Sequence, residues 1–245
     1  MAQLVFNDTS NGQGIIQEIE RMTGLGATGI TGNTALLKDF TRLVNIWDGR
    51  IQTDILLADG KWQYDDFNIG DLNIATTNLV SGQQDYAVRI DDNNRQIWKV
   101  SRVDIKDSNG NWKQLSQIDQ SEITDGFSAY KSTSGTPEEF DWNGVFMFLF
   151  PASSYNSTLG LKIIFQREAK PFATSGTDSQ IPGFISAFHH LLALGPSYEY
   201  ARDNGKKNMA QLRQELEQGR KELREFYASR NAQKHGLRVK QESTR

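Results

Sequence analysis

Hydrophobic residues recur at helical spacing near the beginning of the chain. Ile15, Ile16 and Ile19 lie on one helical face, and a glycine-rich stretch separates them from a second apolar stripe that begins at about Thr34. This stripe follows i, i+3, i+4 and i+7 spacing through Leu36, Leu37, Phe40, Leu43, Val44 and Trp47. The pattern predicts two short helices joined by a flexible loop, with Asn33 or Thr34 as the N-cap of the second helix.

The middle of the chain has the short alternating runs that are typical of antiparallel strands. Residues 84–90 alternate, residues 97–105 alternate again, and Asn109 and Gly110 then interrupt the pattern. An Asn-Gly pair adopts positive φ angles easily, which favours a tight hairpin turn. The sequence therefore predicts a hairpin that turns at Asn109 and Gly110.

Two further segments of the central region are strongly apolar. Residues 145–150 form a continuous apolar run that ends at Pro151, and residues 159–165 alternate before Pro171. A continuous apolar run indicates a strand that is buried on both sides. We expect these two segments to pair with each other at the centre of the β core.

Helical spacing returns after residue 180. Pro182 suits the first turn of a helix, and Gly195 followed by Pro196 is expected to kink or break it. A final stretch from about Lys206 to Tyr227 predicts a long, exposed helix rich in charged residues. Its apolar positions are Met209, Leu212, Leu216, Leu223 and Phe226.

These patterns predict an α+β protein in which helical segments at both termini flank a central antiparallel β domain, either a sandwich or barrel-like. We place an N-terminal helical segment at residues 1–58, the β domain at 59–180 and C-terminal helices at 181–228. Residues 229–245 lack apolar periodicity and carry five basic residues against Glu242 as the single acid. They are expected to form a flexible basic tail.

The composition excludes several classes of protein. The chain has 245 residues, no cysteine and a formal net charge of -3. Without cysteine there is no disulfide framework, thiolate zinc site or thiol nucleophile, and a mildly acidic chain does not suggest sequence-specific DNA binding. The N-terminus has no signal-peptide pattern, and no stretch approaches the roughly 20 apolar residues of a membrane helix. We expect synthesis in the cytoplasm and no membrane partner.

The aspartate-rich segments each have a simpler structural interpretation than a chemical one. Adjacent Asp65 and Asp66 point in opposite directions in an extended segment, which argues against a catalytic carboxylate pair. Segments 91–94 and 107–111 lack the glycine and glutamate positions of a calcium loop and are typical of turns. We predict no catalytic residue, no metal site and no cofactor.

Histidine, glycine and tryptophan give three more candidates. His189 and His190 are neighbours on a predicted helix and face different directions, so they cannot chelate one ion. The glycines between residues 24 and 29 lack the strand and the Lys-Ser/Thr of a phosphate-binding loop, so a hinge or ring-contact loop is favoured. A carbohydrate-binding face, which would use aromatic side chains, stays open as an alternative to core packing. Its candidates are Trp62, Trp98, Trp112 and Trp142.

A series of short phrases resembles a group of tailed-bacteriophage neck and tail proteins. The phrases are LVN at 43–45, GKWQYDDFN at 60–68, DL at 71–72, NLVSGQQDY at 78–86, VDIKD at 103–107, GTPEEFDW at 135–142, FLFPA at 148–152 and IPGF at 181–184. Together they span most of the chain. Within that group the chain looks like a head-to-tail adaptor, comparable to the tail tubular protein of short-tailed phages.

The resemblance implies a non-enzymatic virion protein of the neck or tail. Such adaptors form rings of about twelve copies between the portal protein and a downstream tail or nozzle protein, and DNA passes through without sequence recognition. The helix–β–helix order of this chain agrees with that arrangement. Another phage tail accessory protein is the alternative within the same group.

The adaptor interpretation assigns candidate contacts to the C-terminal region. We expect the flexible basic tail to bind in a groove of the portal, and deletion of residues 229–245 to abolish attachment. The candidate portal-binding residues are Arg230, Lys234, His235, Arg238, Lys240 and Arg245. Subunits are expected to associate head to tail, with the candidate subunit contacts Leu212, Leu216, Leu223 and Phe226 on the last helix.

Overall fold

A computed structural model of the chain describes residues 4–60, 73–90, 96–119, 134–174 and 180–236. The chain divides into two compact units. Residues 1–69 and 169–245 make up the first, which we call the helical unit, and residues 70–168 make up the second, which we call the β unit. The predicted α+β class, with helices at both termini flanking a central β region, is confirmed.

The described residues of the helical unit form four α-helices and one short 3₁₀ helix. They are α1 (Ile15–Thr23), α2 (Thr34–Ala58), the 3₁₀ helix (Ser186–Phe188), α3 (Leu191–Asp203) and α4 (Met209–Gly236). Helices from both ends of the chain share one hydrophobic core, in which Phe6, Ile51, Phe184 and Leu223 are fully buried. Because this core joins residues far apart in sequence, neither terminal segment buries its apolar face alone.

The start of α2 agrees with its sequence signal. The Asn33 side chain accepts hydrogen bonds from the backbone N–H groups of Ala35 and Leu36, at 3.0 and 3.2 Å. An N-cap of this kind satisfies N–H groups that have no partner within the helix. Asn33 is therefore the cap, and α2 is a long helix of 25 residues and not a short one.

The described residues of the β unit form ten strands. They are β1 (Asn73–Leu79), β2 (Asp85–Ala87), β3 (Ile97–Lys106), β4 (Trp112–Gln114), β5 (Ser116–Gln117), β6 (Ser134–Gly135), β7 (Glu139–Trp142), β8 (Phe146–Phe150), β9 (Ala152–Ser153) and β10 (Ser157–Arg167). Sheet A has the order β1-β10-β3-β4, sheet B has the order β2-β8-β7-β5, and β6 pairs with β9 in a small third sheet. Most pairs are antiparallel, whereas β5–β7 and β6–β9 are parallel.

Sheets A and B share a second hydrophobic core. Val103, Ile105 and Leu161 from sheet A and Met147 and Leu149 from sheet B belong to one buried cluster. Each sheet therefore has an inner face toward this core and an outer face away from it. The sheets are not closed on themselves, so the barrel-like form of the prediction is wrong.

The predicted hairpin is confirmed, whereas the predicted pairing of two apolar strands is wrong. β3 pairs with β4 across a turn in which Gly110 has a φ of 84° and Asp107 Oδ1 accepts the N–H groups of Asn109 and Asn111. β8 and β10, however, are central strands of different sheets. They meet across the core through side chains and do not share backbone hydrogen bonds.

The C-terminal helices also differ from the prediction. Pro182 lies before the C-terminal helices and not in the first turn of one, since α3 begins only at Leu191. Helix α3 continues through Gly195 and Pro196, which therefore do not break it. The last helix extends beyond the predicted end at Tyr227 to Gly236. The first part of the predicted flexible tail is therefore helical, and residues 237–245 lie outside the described part of the chain.

Candidate functional site

Several candidate groups fall outside the residues that the structure describes. Asp65, Asp66 and Trp62 lie in segment 61–72, and the turn candidate 91–94 lies in segment 91–95. The other turn candidate, 107–111, is described. Its Asp107 carboxylate accepts hydrogen bonds from the backbone N–H groups of Asn109 and Asn111 in the same turn. These hydrogen bonds lower the pKa of Asp107. They account for Asp107 as a turn residue.

The two neighbouring histidines occupy different environments. His189 is fully buried, its Nε2 lies 2.8 Å from the carbonyl oxygen of Phe184, and its ring packs edge-on against the Phe184 ring. His190 is half-buried, and its Nδ1 lies 3.1 Å from the carbonyl oxygen of Ala187. Each imidazole is engaged with a backbone carbonyl near its own position, so the pair does not converge on one ligand.

The stability of the helical unit is expected to fall in mild acid because of His189. Burial lowers the pKa of His189 below its ordinary value of 6.5, more than the hydrogen bond to Phe184 raises it. The unfolded chain then binds the proton more readily, so the stabilisation is present above about pH 6.5 and is lost as the pH falls below it. Urea unfolding across that range should show a smaller pH dependence for His189→Gln than for the parent, and His190→Gln is the matched control. Equal slopes for parent and His189→Gln would contradict this assignment.

The loop between α1 and α2 is held by a buried carboxylate that the sequence analysis missed. Glu20 is 4% exposed and accepts hydrogen bonds from the backbone N–H groups of Thr28, Ile30 and Thr31 at 3.2, 2.9 and 2.9 Å. The Thr31 hydroxyl adds a fourth contact at 3.2 Å. The predicted flexible hinge is therefore a loop tied at several points to one side chain. A glutamate on the face of α1 that carries the buried isoleucines was the available signal.

A tryptophan and a glycine fix the contact between α2 and α3. The Trp47 indole donates a hydrogen bond to Glu199 Oε1 at 3.0 Å, and Arg50 donates to the same oxygen at 3.0 Å. The Arg50 guanidinium lies over the indole, 4.4 Å from its centroid. A Cβ atom on Gly195 would lie 2.3 Å from a ring carbon of Trp47, so the helices pack here at the closest distance that glycine permits.

An ionic cluster ties α2 to α4. The carboxylate of Asp54, which is 4% exposed, accepts hydrogen bonds from Arg220 Nε at 2.6 Å and Arg220 Nη2 at 3.1 Å. Arg224 Nη1 lies 3.3 Å from Asp54 Oδ1. A two-point guanidinium contact fixes orientation as well as distance. The charged face of α4 therefore includes contacts that position the helix.

The candidate subunit contacts on α4 are largely used inside the helical unit. Leu212, Leu216 and Leu223 are 6%, 4% and 0% exposed and belong to its core. Phe226 is half-buried, and its ring lies 5.8 Å from that of Phe188. These side chains leave little surface for a neighbouring subunit, so the structure gives no support to their assignment as subunit contacts.

The candidate portal-binding residues are only partly described. Arg230 is exposed on α4, with its guanidinium 5.5 Å from the centroid of the Tyr227 ring. Lys234 and His235 lie on the helical backbone of α4, and their side chains are outside the described part of the structure. Arg238, Lys240 and Arg245 follow the last described residue. The assignment of all six to the portal stays a prediction.

The outer face of sheet A carries an aromatic and ionic cluster. Asp104 is 1% exposed and binds Arg102 Nε at 2.8 Å and Lys162 Nζ at 3.0 Å. The Lys162 and Lys106 ammonium groups lie over the Trp112 ring, 4.2 and 5.1 Å from its centroid. Trp112 is 44% exposed, so the cluster is open to solvent. We name these five residues the basic cluster.

Of the described candidates, Trp98 and Trp142 do not form a continuous sugar-stacking surface with Trp112. Trp98 is 37% exposed, whereas Trp142 is half-buried and packs against the core of the β unit. A pyranose ring stacks on a free aromatic face, and the Trp112 ring is already contacted by two ammonium groups. The described tryptophans therefore fit packing and charge contacts better than a carbohydrate-binding face.

A cleft of about 360 Å³ opens between the edge strands β1 and β2. Its lining is apolar with a few neutral polar groups, including Thr77, Gln83, Tyr86 and Met147. Burial raises the pKa of Tyr86, whose hydroxyl accepts a hydrogen bond from the backbone N–H of Val80. Among the residues described around it, the cleft has no carboxylate, histidine or lysine that would serve as an acid or base.

Two kinds of feature are absent from the described ranges. No group of three or more histidine, aspartate or glutamate side chains there is arranged to hold a metal ion. No helix in the same ranges is long and apolar enough to span a membrane. In comparisons with known proteins, no family model and no curated protein matched the chain.

Proposed function

We propose that this chain is a non-enzymatic structural protein of a tailed-phage virion, and that it acts as a head-to-tail adaptor ring between the portal and the tail. The observation that carries the proposal is the division into two units, each with its own buried core. An adaptor contacts two different partners, and a chain with two independently packed units offers one surface region to each. The short phrases that resemble those of tailed-phage neck and tail proteins support the same proposal.

The described side chains also favour binding over catalysis. Three buried titratable groups in the described ranges have structural partners: His189 contacts a backbone carbonyl, Glu20 holds a loop, and Asp54 binds two arginines. Catalytic groups are usually found together in a cleft, with perturbed pKa values and a shared target. Here these groups lie apart, and each stabilises a local contact.

Attachment to the portal is assigned to the basic end of the chain. Deletion from residue 229 would remove the end of α4 together with the charges, so truncation after Gly236 is the sharper variant. We expect this truncation to leave the melting temperature unchanged and to weaken co-sedimentation with the portal protein from the same genome by at least about tenfold, since ion pairs repeated around a ring reinforce one another.

The matched control keeps the length of the tail and removes its charge. A chain with Arg238, Lys240 and Arg245 replaced by glutamine should lose portal attachment as the truncated chain does. Attachment of both variants at the level of the parent would contradict the assignment. Quenching of tryptophan fluorescence by oligosaccharides, without any binding to the portal, would instead favour the carbohydrate-binding alternative.

A further inference from the structure

The basic cluster on sheet A carries more positive charge than the acids beside it neutralise. Arg102 and Lys162 share the single carboxylate of Asp104. Lys106 has no ion pair with any residue of the described ranges. The nearest acid along β3 is Asp107, whose carboxylate is bound to the N–H groups of its own turn. With both aspartates counted, three cations face two carboxylates, so an excess of positive charge remains.

The positions next to the cluster on the same face are neutral and open to solvent. In strand register, Gln114 on β4 and Thr76 on β1 lie opposite members of the cluster, and both are exposed. Trp112 is 44% exposed. Toward the other end of the sheet, Lys99 near the start of β3 and Glu168 just after β10 have opposite signs and leave the excess unchanged. An anion can therefore approach the cluster from solvent.

The indole of Trp112 brings two of these cations together. The ammonium groups of Lys162 and Lys106 lie 4.2 and 5.1 Å from the centroid of this one ring. The negative face of an aromatic ring attracts cations, which offsets part of the repulsion between two like charges. A phosphate group that approaches the ring meets both charges and has several oxygens that can accept charge-assisted hydrogen bonds. The cluster therefore favours an oxyanion of this kind.

A groove of about 470 Å³ adjoins the cluster where β4 leads into β5, and Arg102 lines both. Two apolar lining residues, Leu115 and Phe140, are each 3% exposed and lie at its base. The exposed polar lining residues are Ser101, Gln114, Ser116 and Gln117. Their side chains make no hydrogen bond with other residues in the described part of the β unit. We call this groove the polar groove.

We infer that this surface binds a single-stranded nucleic acid, with backbone phosphates on the basic cluster and a base in the polar groove. The three cations supply an attraction that does not depend on base sequence. The amides of Gln114 and Gln117 can donate hydrogen bonds to the edge of a base and accept them from it. The inference does not rest on the proposed ring, because the whole site lies within the β unit of one chain.

The polar groove decides between a single strand and other polyanions. A duplex keeps its base pairs stacked inside and would leave the groove empty, whereas an unstacked base of a single strand can enter it. A glutamate-rich peptide could neutralise the cations, but it brings no planar ring with several hydrogen-bonding groups to the groove. The charge and the groove together therefore favour a single strand.

Fluorescence anisotropy of a labelled oligothymidylate of about ten nucleotides tests the inference on the full-length protein. The logarithm of the binding constant should fall with the logarithm of salt concentration with a slope of about -2, which corresponds to three phosphates neutralised on a single strand. The thymidylate–adenylate duplex of the same length, and polyglutamate of the same charge, should each compete at least about tenfold less well than the unlabelled single strand. This measurement on the parent protein requires no variant to fold.

A pair of lysine variants tests the basic cluster. Lys106→Gln removes a cation that has no ion pair, so the affinity at low salt should fall at least about threefold and the salt slope should lose about 0.7. Lys113→Gln is the matched control, because Lys113 lies opposite buried Ile105 on the other side of β4 and pairs with Glu138. The control should bind within about twofold of the parent.

A double variant tests the polar groove without a change of charge. Gln114→Ala combined with Gln117→Ala removes both amides from exposed positions. The affinity for the oligothymidylate should fall at least about threefold while the salt slope stays that of the parent, since no phosphate contact is lost. Circular dichroism establishes that each variant is folded.

The outcomes that contradict the inference leave the adaptor proposal intact, because portal attachment is measured separately. A parent that does not bind the oligothymidylate at about 50 mM salt would overturn the inference, as would unchanged binding by Lys106→Gln or by the groove variant. A duplex that binds as tightly as the single strand would assign the cluster to a paired backbone and overturn the role of the groove. Equal competition by polyglutamate would assign the surface to an acidic protein.

Discussion

Replacement of Glu20 by alanine is expected to lower the free energy of unfolding by about 3–4 kcal/mol, because it leaves several buried donors without their acceptor. The carboxylate accepts the N–H groups of Thr28, Ile30 and Thr31, and Ile30 is fully buried. Thr28 has a φ of 64°, a conformation that a β-branched residue adopts only when its surroundings impose it. Urea unfolding monitored by circular dichroism measures the effect.

The control for this prediction lies on the same helix. Glu18 pairs with Arg21 at the surface, and the Arg21 side chain is 69% exposed. Glu18→Ala is expected to cost no more than about 0.5 kcal/mol, as is usual for exposed ion pairs. Equal losses in the two variants would mean that Glu20 does not hold the loop.

Replacement of Gly195 by alanine is expected to lower the free energy of unfolding by about 2–3 kcal/mol, since it overpacks the contact between α2 and α3. The new Cβ would lie 2.3, 2.5 and 2.6 Å from three ring atoms of Trp47. Trp47 cannot turn away without breaking its hydrogen bond to Glu199 and its contact with Arg50. The helices must therefore separate to admit the methyl group.

A second helical glycine provides a control with the opposite sign. A Cβ atom on Gly49 in α2 would meet no other atom within 4 Å. Gly49→Ala should therefore stabilise the protein by about 0.5–1 kcal/mol, because alanine loses less backbone freedom in a helix. Thermal unfolding of both variants measures the difference, and a stabilising Gly195→Ala would contradict the close packing described here.

The elements that could be predicted from sequence are those whose signal lies within a few neighbouring residues. The stripe that begins at Thr34 has the period of a helix, and the Asn33 cap precedes it. Asn109 and Gly110 have the conformational preferences of a turn, and the hairpin forms there. Such signals depend on neighbours in the chain and are therefore visible without a structure.

The errors concern contacts between distant residues. Both β8 and β10 have the apolar composition of buried strands. That composition does not show whether two such strands pair in one sheet or pack across a core from different sheets, as they do here. Helix α4 continues to Gly236 although its charged end has no apolar stripe. The alternation along β3 is interrupted where its register with β10 shifts, between Arg102 and Val100 and again between Lys99 and Ile97.

The candidate interaction surface depends even more on register. Lys162 and Asp104 are far apart in sequence, and the pairing of β10 with β3 brings them into an ion pair and places the Lys162 ammonium group over the Trp112 ring. The net charge of -3 for the whole chain does not reveal the basic cluster on sheet A. Local charge on a sheet appears only after its strands are placed.

Negative-stain microscopy with light scattering on the purified full-length protein, alone and mixed with the portal protein of the same genome, tests the central proposal most directly. The account predicts closed rings, or a complex with the portal at one fixed stoichiometry. A persistent monomer that does not bind the portal at any salt concentration would contradict it.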